Sequence, residues 1–252
     1  MKTLIYTLIA SASIFSFTSC MDGKTMKNII TAMAKNSEDL SDLPPSDTVT
    51  ISKQIAVPGS FSSIHTSGGY EIILRQDSAA SIVFEGRKAY SDSAVVEVKD
   101  GTLNISAKED RFSRGKLIIT LPTLTAVTTE GAGDILLRNF NQEEDIKIET
   151  NGAGDIELKG SKLNNIKIET NGAGDIELKS ITCHDVDIES NGAVEVDIDR
   201  INANIIKVMI NGAGDIEASG HCKDFNCNVS GAGEVDTKEL NITGNNAGSK
   251  AN

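Results

Sequence analysis

The stretch that decides the fold covers residues 146–159 and reads IKIETNGAGDIELK. The same letters return over residues 166–179, and looser copies follow at 186–199 and 206–219. The Gly-Ala step inside this unit begins at Gly131, Gly152, Gly172, Gly192, Gly212 and Gly231. The unit therefore recurs every 19 to 21 residues through the second half of the 252-residue chain.

Both arms of the unit alternate apolar and charged residues. Ile146 and Ile148 face one side, whereas Lys147 and Glu149 face the other, and residues 156–159 follow the same rule. A period of two residues is typical of β-strands with one buried face. The repeat therefore predicts short strands joined by corners, with no stretch of helical period.

A unit of this size cannot bury its apolar side alone, but units stacked in register can, with strands about 4.8 Å apart. We therefore predict an all-β fold, a parallel β-helix (solenoid), and the usual hand of parallel crossovers predicts a right-handed one. The inward rows are then Ile148, Ile168, Ile188, Val208 and Ile156, Ile176, Val196, Ile216, Val235. An antiparallel sandwich is the rival, since the repeated Asn-Gly steps are typical of hairpin turns. The constant period favours the solenoid, because only a stack requires it.

The repeated glycines and asparagines have an expected backbone role. Glycine permits a positive φ or a close approach to the neighbouring coil. The Asn before each glycine tolerates the left-handed region and can also hydrogen-bond to the Asn of the next coil. The direction of the alanine between the glycines stays open, because Ala153 points outward from a straight strand and inward from a turning one.

Composition divides the chain into five segments. Residues 1–19 have a basic start and an apolar run, which is typical of a signal peptide. Residues 20–47 are polar and predict a tether, and residues 48–130 predict an irregular N-terminal β cap with the first coils. Residues 131–244 hold the regular β-helix repeats, and residues 245–252 are expected to form a frayed tail.

Cys20 stands directly after the apolar run, behind Phe17, Thr18 and Ser19. This arrangement resembles the lipobox of bacterial lipoproteins, in which the signal is cut before the cysteine and the thiol is acylated. Most lipoboxes carry Leu where this chain has Phe17. The resemblance implies lipidation at Cys20 and a membrane partner reached through the N-terminal lipid.

A wider resemblance covers residues of about 52–240. The stretches IHTSGGYEI (64–72), DGTLNI (100–105) and ITLPTL (119–124), together with the repeated Gly-Ala-Gly-Asp, resemble the head GIN domain family. These are auto-transporter-adhesin-like lipoproteins of Bacteroidetes. The resemblance implies a β-helix and a place in the cell envelope, and we expect the outer membrane, with the periplasmic or surface side left open. It supplies no catalytic residues.

The net charge of −12 lies entirely on the repeats, since residues 131–240 hold 22 acidic and 10 basic side chains. The acidic side chains form a row at Asp134, Asp155, Asp175, Glu195, Asp215 and Glu234. Adjacent carboxylates about 4.8 Å apart repel, so something has to offset them. Screening by solvent, salt and nearby lysines is one explanation, and weak calcium binding along the row is the other. No other cofactor is expected.

Three further cysteines, Cys183, Cys222 and Cys227, fall in inward columns and are expected to be buried core thiols. Cys183 and Cys222 lie two coils apart, too far for a disulfide. The histidines beside them match no closed four-ligand zinc pattern. The sequence also lacks a nucleophile elbow, a phosphate loop and a zinc-protease motif.

These patterns exclude some functions and favour others. An acidic chain with no Trp is not expected to bind nucleic acid, since phosphate binding needs a basic face. We expect a non-enzymatic, lipid-anchored envelope protein that acts as an adhesin or surface interaction module for an unidentified protein or glycan. An envelope signalling or stress lipoprotein that binds a partner protein is the alternative. A polysaccharide-active β-helix enzyme is less favoured, because basic residues beside the acidic rows are few.

Overall fold

The computed structural model describes residues 49–109 and 114–250 of the chain. The predicted signal peptide, Cys20 and tether lie outside the described residues. The helix α1 covers Lys88–Ser93. The strands are β1 Thr50–Ile55, β2 Ser63–Gln76, β3 Ser81–Arg87, β4 Ala94–Lys99, β5 Thr102–Ala107, β6 Arg114–Leu121, β7 Ala126–Gly131, β8 Ile135–Arg138, β9 Ile146–Ala153, β10 Ile156–Lys159, β11 Asn165–Lys179, β12 Asp185–Ala213, β13 Ile216–Val229, β14 Val235–Ile242 and β15 Asn246–Lys250.

The repeats stack as a parallel β-solenoid of about 6 turns. Strands β9, β11, β12, β13 and β14 pair in parallel in that order, and β10 pairs with β11 and β8. Identical positions of neighbouring units lie side by side, as in Ile148↔Ile168 and Ile168↔Ile188. The prediction of a solenoid is confirmed, and the antiparallel sandwich is wrong, because the Asn-Gly steps lie within paired parallel strands. The right-handed sense stays a prediction.

The predicted inward rows form the core. Ile148, Ile168, Ile188 and Val208 are 0% exposed, and the row from Ile156 to Ile216 is equally well covered, with Val235 partly buried at its end. Burying an aliphatic side chain of this size contributes about 1.5–3 kcal/mol before the entropy of ordering is subtracted. Stacking thus supplies the apolar contact that a single unit lacks.

The N-terminal part joins antiparallel strands to the stack. β1, β3 and β6 pair antiparallel, whereas β2 pairs in parallel with β5, β6, β7 and β8. β4 and β5 form a hairpin, whose tip has Asp100 at φ 50° and Gly101 at φ 75°. The first coil of the solenoid is therefore β2, which lies beside β8 although the two are far apart along the chain.

The structure decides two expectations about the local backbone. Ala153 is exposed, so the alanine between the glycines points outward. The backbone of Asn246–Lys250 forms β15 and pairs with β13, so the expectation of a frayed tail is wrong over these residues. The reason is that Phe225–Val229 of β13 still offers backbone hydrogen-bonding groups at the open end of the stack. No helix among the described residues is long and apolar enough to cross a membrane.

Candidate binding surface

One sheet of the solenoid carries three parallel rows of outward side chains, which we call the outer face. Each strand contributes three residues at alternate positions, because successive side chains of a strand point to opposite sides. The first row is Glu71, Asp134, Asp155, Asp175, Glu195, Asp215 and Glu234. The central row is Ile73, Leu136, Glu157, Glu177, Asp197, Glu217 and Asp236. The third row is Arg75, Arg138, Lys159, Lys179 and Asp199.

The acidic row predicted from the sequence is therefore brought together in register, and its aspartates have a structural role. The backbone N–H of Asp155 donates to Asp134 Oδ1 at 3.0 Å, and the N–H of Asp175 donates to Asp155 Oδ1 at 2.9 Å. The N–H of Glu234 donates to Asp215 Oδ1 at 2.7 Å. Each of these carboxylates thus satisfies a backbone donor of the next coil, where the chain leaves the Gly-Ala-Gly corner.

The first row keeps most of its negative charge uncompensated. Glu71 pairs with Lys116 at 3.2 Å. Within residues 49–109 and 114–250, no ion pair involves Asp134, Asp155, Asp175, Glu195 or Asp215. In the neighbouring rows, Arg138 pairs with Glu157 at 3.2 Å and Lys179 pairs with Glu177.

A second sheet, formed by β9, the first part of β11 and both ends of β12, pairs most of its charges. Lys147 and Lys167 each lie 2.7 Å from Glu169, and Lys207 lies 3.1 Å from Glu189. Hydrogen bonds from Lys147 and Lys167 hold the pKa of Glu169 below its usual value. The unbalanced negative charge of the repeats is therefore concentrated on the outer face.

A groove of about 440 Å³ runs over the outer face between the first and central rows. Carboxylates and aliphatic side chains both line it, including Glu71, Asp134, Leu136, Asp155, Glu157 and Asp175. Among the described residues, no group of three or more His, Cys, Asp or Glu side chains is arranged to hold a metal ion. Weak calcium binding along the row stays an untested prediction.

The three thiols of the repeats lie where the column alignment predicts. Ala203 pairs with Cys222 and Val208 pairs with Cys227, and all three cysteines are free. Cys222 and Cys227 are buried and Cys183 is partly buried. Burial raises the pKa of Cys183 to about 12 and that of Cys227 to about 11. Because the thiolate is the reactive form, these side chains are inert near neutral pH.

Sequence reasoning missed the start of the outer face. Ile72↔Ile135 pairing places Ile73 beside Leu136 and Arg75 beside Arg138, which extends the central row with apolar residues and the third row with a cation. The alternation of apolar and polar residues in β2 is visible in the sequence. The register of β2 with β8 is not, because the intervening chain forms β3 to β7. Only the tertiary structure shows that the two strands are neighbours.

Comparison with known proteins places the chain in a family. The family model described as "Putative auto-transporter adhesin, head GIN domain" matches residues 60–183 and 167–250. Together these matches cover most of the chain, and the protein belongs to this family. The family is described as adhesin-like, which suggests a protein of the cell envelope or surface.

Two solved structures share the fold. A putative adhesin from Bacteroides fragilis is 19% identical, with a TM-score of 0.63, and the match covers 81% of this chain and 99% of that one. A protein described as a putative lipid binding protein from Parabacteroides distasonis is 20% identical, with a TM-score of 0.55, and the match covers 80% and 95%. No curated protein matches the chain.

Proposed function

We propose that this chain is a non-enzymatic adhesin of the cell envelope, anchored by lipid at Cys20, which binds a cationic partner on its outer face. The family supports a surface role. A cationic partner is favoured by the end of the outer face, where the residues of all three rows, Glu195, Asp197 and Asp199, are acidic. Asp215 and Glu217 continue the patch, whereas Asp199 and Asp236 at its edge pair with Arg200 and Lys238.

The chemistry of the patch favours a protein segment or glycan with several positive charges. Carboxylates about 4.8 Å apart along a row and about 7 Å apart across it present a regular array of acceptors. Such an array raises the association rate of cations by electrostatic steering, and its effect falls with ionic strength. Bound cations also relieve the repulsion between neighbouring carboxylates.

Binding to two defined probes tests the proposal. A lysine-rich peptide and chitosan, a cationic glycan, are titrated against the purified full-length chain, with a neutral glycan for comparison. The triple variant Glu195→Gln, Asp197→Asn, Glu217→Gln leaves the aspartates that accept backbone hydrogen bonds intact, and we expect at least tenfold weaker binding. The control Glu149→Gln, Glu169→Gln, Glu189→Gln removes equal charge from the balanced sheet and should bind almost as the parent does. Equal losses in the two variants would overturn the proposed site.

The lipid anchor has its own test. Cells that express the chain are fed an alkyne-bearing fatty acid, and label on the purified protein is measured. We expect Cys20→Ala to abolish the label, and Cys183→Ala, which alters a partly buried thiol, to leave it unchanged. Label that persists in Cys20→Ala would contradict lipidation at this residue.

A further inference from the structure

We propose that two copies of this chain pair through the N-terminal half of the outer face, side by side and pointing the same way. The two-fold axis follows the central row, so Ile73 and Leu136 meet their equivalents across it. Glu157 and Glu177 also lie on the axis, and each is paired with a cation of the third row. This pairing uses the coils before Glu195, whereas the acidic patch proposed for adhesion begins at Glu195. The two surfaces can therefore act together.

The first observation is an apolar centre. Ile73 and Leu136 of the central row are followed on the neighbouring strands β6 and β3 by Ile118 and Val83, so four aliphatic residues lie in adjacent strands before Glu157. Val83, Ile118 and Leu136 are partly exposed, as their outward direction implies, whereas Ile73 is only 9% exposed. Outward aliphatic side chains that run across four neighbouring strands are typical of a surface that another sheet covers.

The second observation is that the rows on either side carry opposite charges. In four successive coils the first-row residue is acidic and the third-row residue is basic. The pairs are Glu71 with Arg75, Asp134 with Arg138, Asp155 with Lys159, and Asp175 with Lys179. The two rows lie four residues apart, which is about 13 Å.

Symmetry then selects one arrangement. When two identical sheets face each other about an axis along the central row, the first row of each copy opposes the third row of the other. Glu71 of one copy meets Arg75 of its partner in the same coil, and the next three pairs do likewise. An axis across the rows would instead set acid against acid and base against base. Only the parallel pairing therefore makes the first and third rows complementary in charge.

The same rows show where the contact ends. At the next coil Glu195 and Asp199 are both acidic, so the facing rows are no longer complementary from there onward. The complementary patch spans four coils, spaced about 4.8 Å apart. This area is smaller than that of a permanent dimer, so the pairing depends on protein concentration and on salt.

Cysteine crosslinking of the full-length chain in native membranes tests the geometry. Leu136 lies on the proposed axis. In the Leu136→Cys variant, the new cysteines of the two copies should therefore form a disulfide under mild oxidation and give a dimer band. Lys167→Cys, on the balanced sheet, is the matched control and should remain monomeric. Equal crosslinking at the two positions, or none at Leu136→Cys, would overturn the proposal.

A charge swap separates pairing from folding. By sedimentation velocity in detergent, Arg75→Glu should weaken dimerisation at least tenfold, because the new carboxylate would face Glu71 of the partner. The double variant Glu71→Lys, Arg75→Glu restores opposite charges across the axis and should recover most of the affinity. Thermal unfolding of both variants reports the stability of the monomer. If the double variant pairs no better than Arg75→Glu, the parallel arrangement is wrong.

Discussion

Single glycines set the spacing of the coils. Gly172 has φ +150°, and a Cβ built on it would overlap the backbone carbonyl oxygen of Gly152 in the coil before. The same overlap recurs at Gly152, Gly192 and Gly212 against their preceding coils. The recurring glycine of the repeat is thus required by close backbone contact between coils as well as by φ.

Gly172→Ala is expected to destabilise the protein by roughly 3 kcal/mol or more, because the methyl group overlaps backbone that cannot rotate away. Urea denaturation followed by circular dichroism measures the loss. Ala173 is exposed in the adjacent position, so Ala173→Ser is the control and should stay within about 0.5 kcal/mol of the parent. A Gly172→Ala protein as stable as the control would contradict the close stacking of the coils.

At the scale of elements, side-chain ladders hold neighbouring coils in register. Asn171 Nδ2 donates to Asn151 Oδ1 at 2.9 Å, and the Asn191 and Asn211 amides continue the chain at 3.0 Å. The expected Asn ladder is therefore present. The Asp ladder of the first row differs, because each acceptor is a carboxylate and each donor is a backbone N–H.

Asp155 allows this hydrogen bond to be separated from charge. Asp155→Asn and Asp155→Ala both remove one negative charge, but only Asn keeps the Oδ1 acceptor for the N–H of Asp175. We expect Asp155→Ala to be less stable than Asp155→Asn by about 1 kcal/mol. Thermal and urea unfolding of the two variants provide the comparison, and equal stabilities would show that the carboxylate matters only as a charge.

The charge ladder of the balanced sheet predicts a dependence on pH. The pKa of Glu169 is lower in the folded chain than its usual value of 4.5, so its ion pairs contribute stability above that pH. This contribution is lost as the pH falls through the lower, folded pKa. Glu169→Gln should therefore cost about 0.5 kcal/mol at pH 7 and close to nothing at strongly acidic pH. Unfolding curves measured across this range test the sign, and a cost that grows on acidification would contradict it.

For the whole molecule, the net charge of −12 is distributed unevenly, because most carboxylates without an ion pair lie on the outer face. Repulsion along the first row acts over coil spacings of about 4.8 Å, and salt screens it. The apolar interior offsets this repulsion, since the aliphatic rows continue beneath the acidic ones from Ile135 to Ile216. The molecule is consequently a stable scaffold with one strongly acidic side.

Salt should therefore raise the melting temperature, and sodium and calcium should act alike at equal ionic strength. Scans between about 10 mM and about 500 mM ionic strength measure the effect, since the screening length falls from about 30 Å to about 4 Å over this range. A larger rise with millimolar calcium, reversed by EDTA, would instead show that the acidic row binds the ion. The scans thus decide between the two explanations that the sequence leaves open.

The sequence by itself determined the repeats, the strands, the inward rows and the acidic row. It could do so because in a stack of equal units each residue neighbours its equivalent one period away, so that local spacing fixes tertiary register. The structure alone decided the hydrogen bonds of the aspartates, the pairing of β15 with β13 and the register of β2 with β8. Some of those contacts join residues that are not one repeat apart, and others depend on how far a side chain extends. The spacing of the sequence therefore does not predict them.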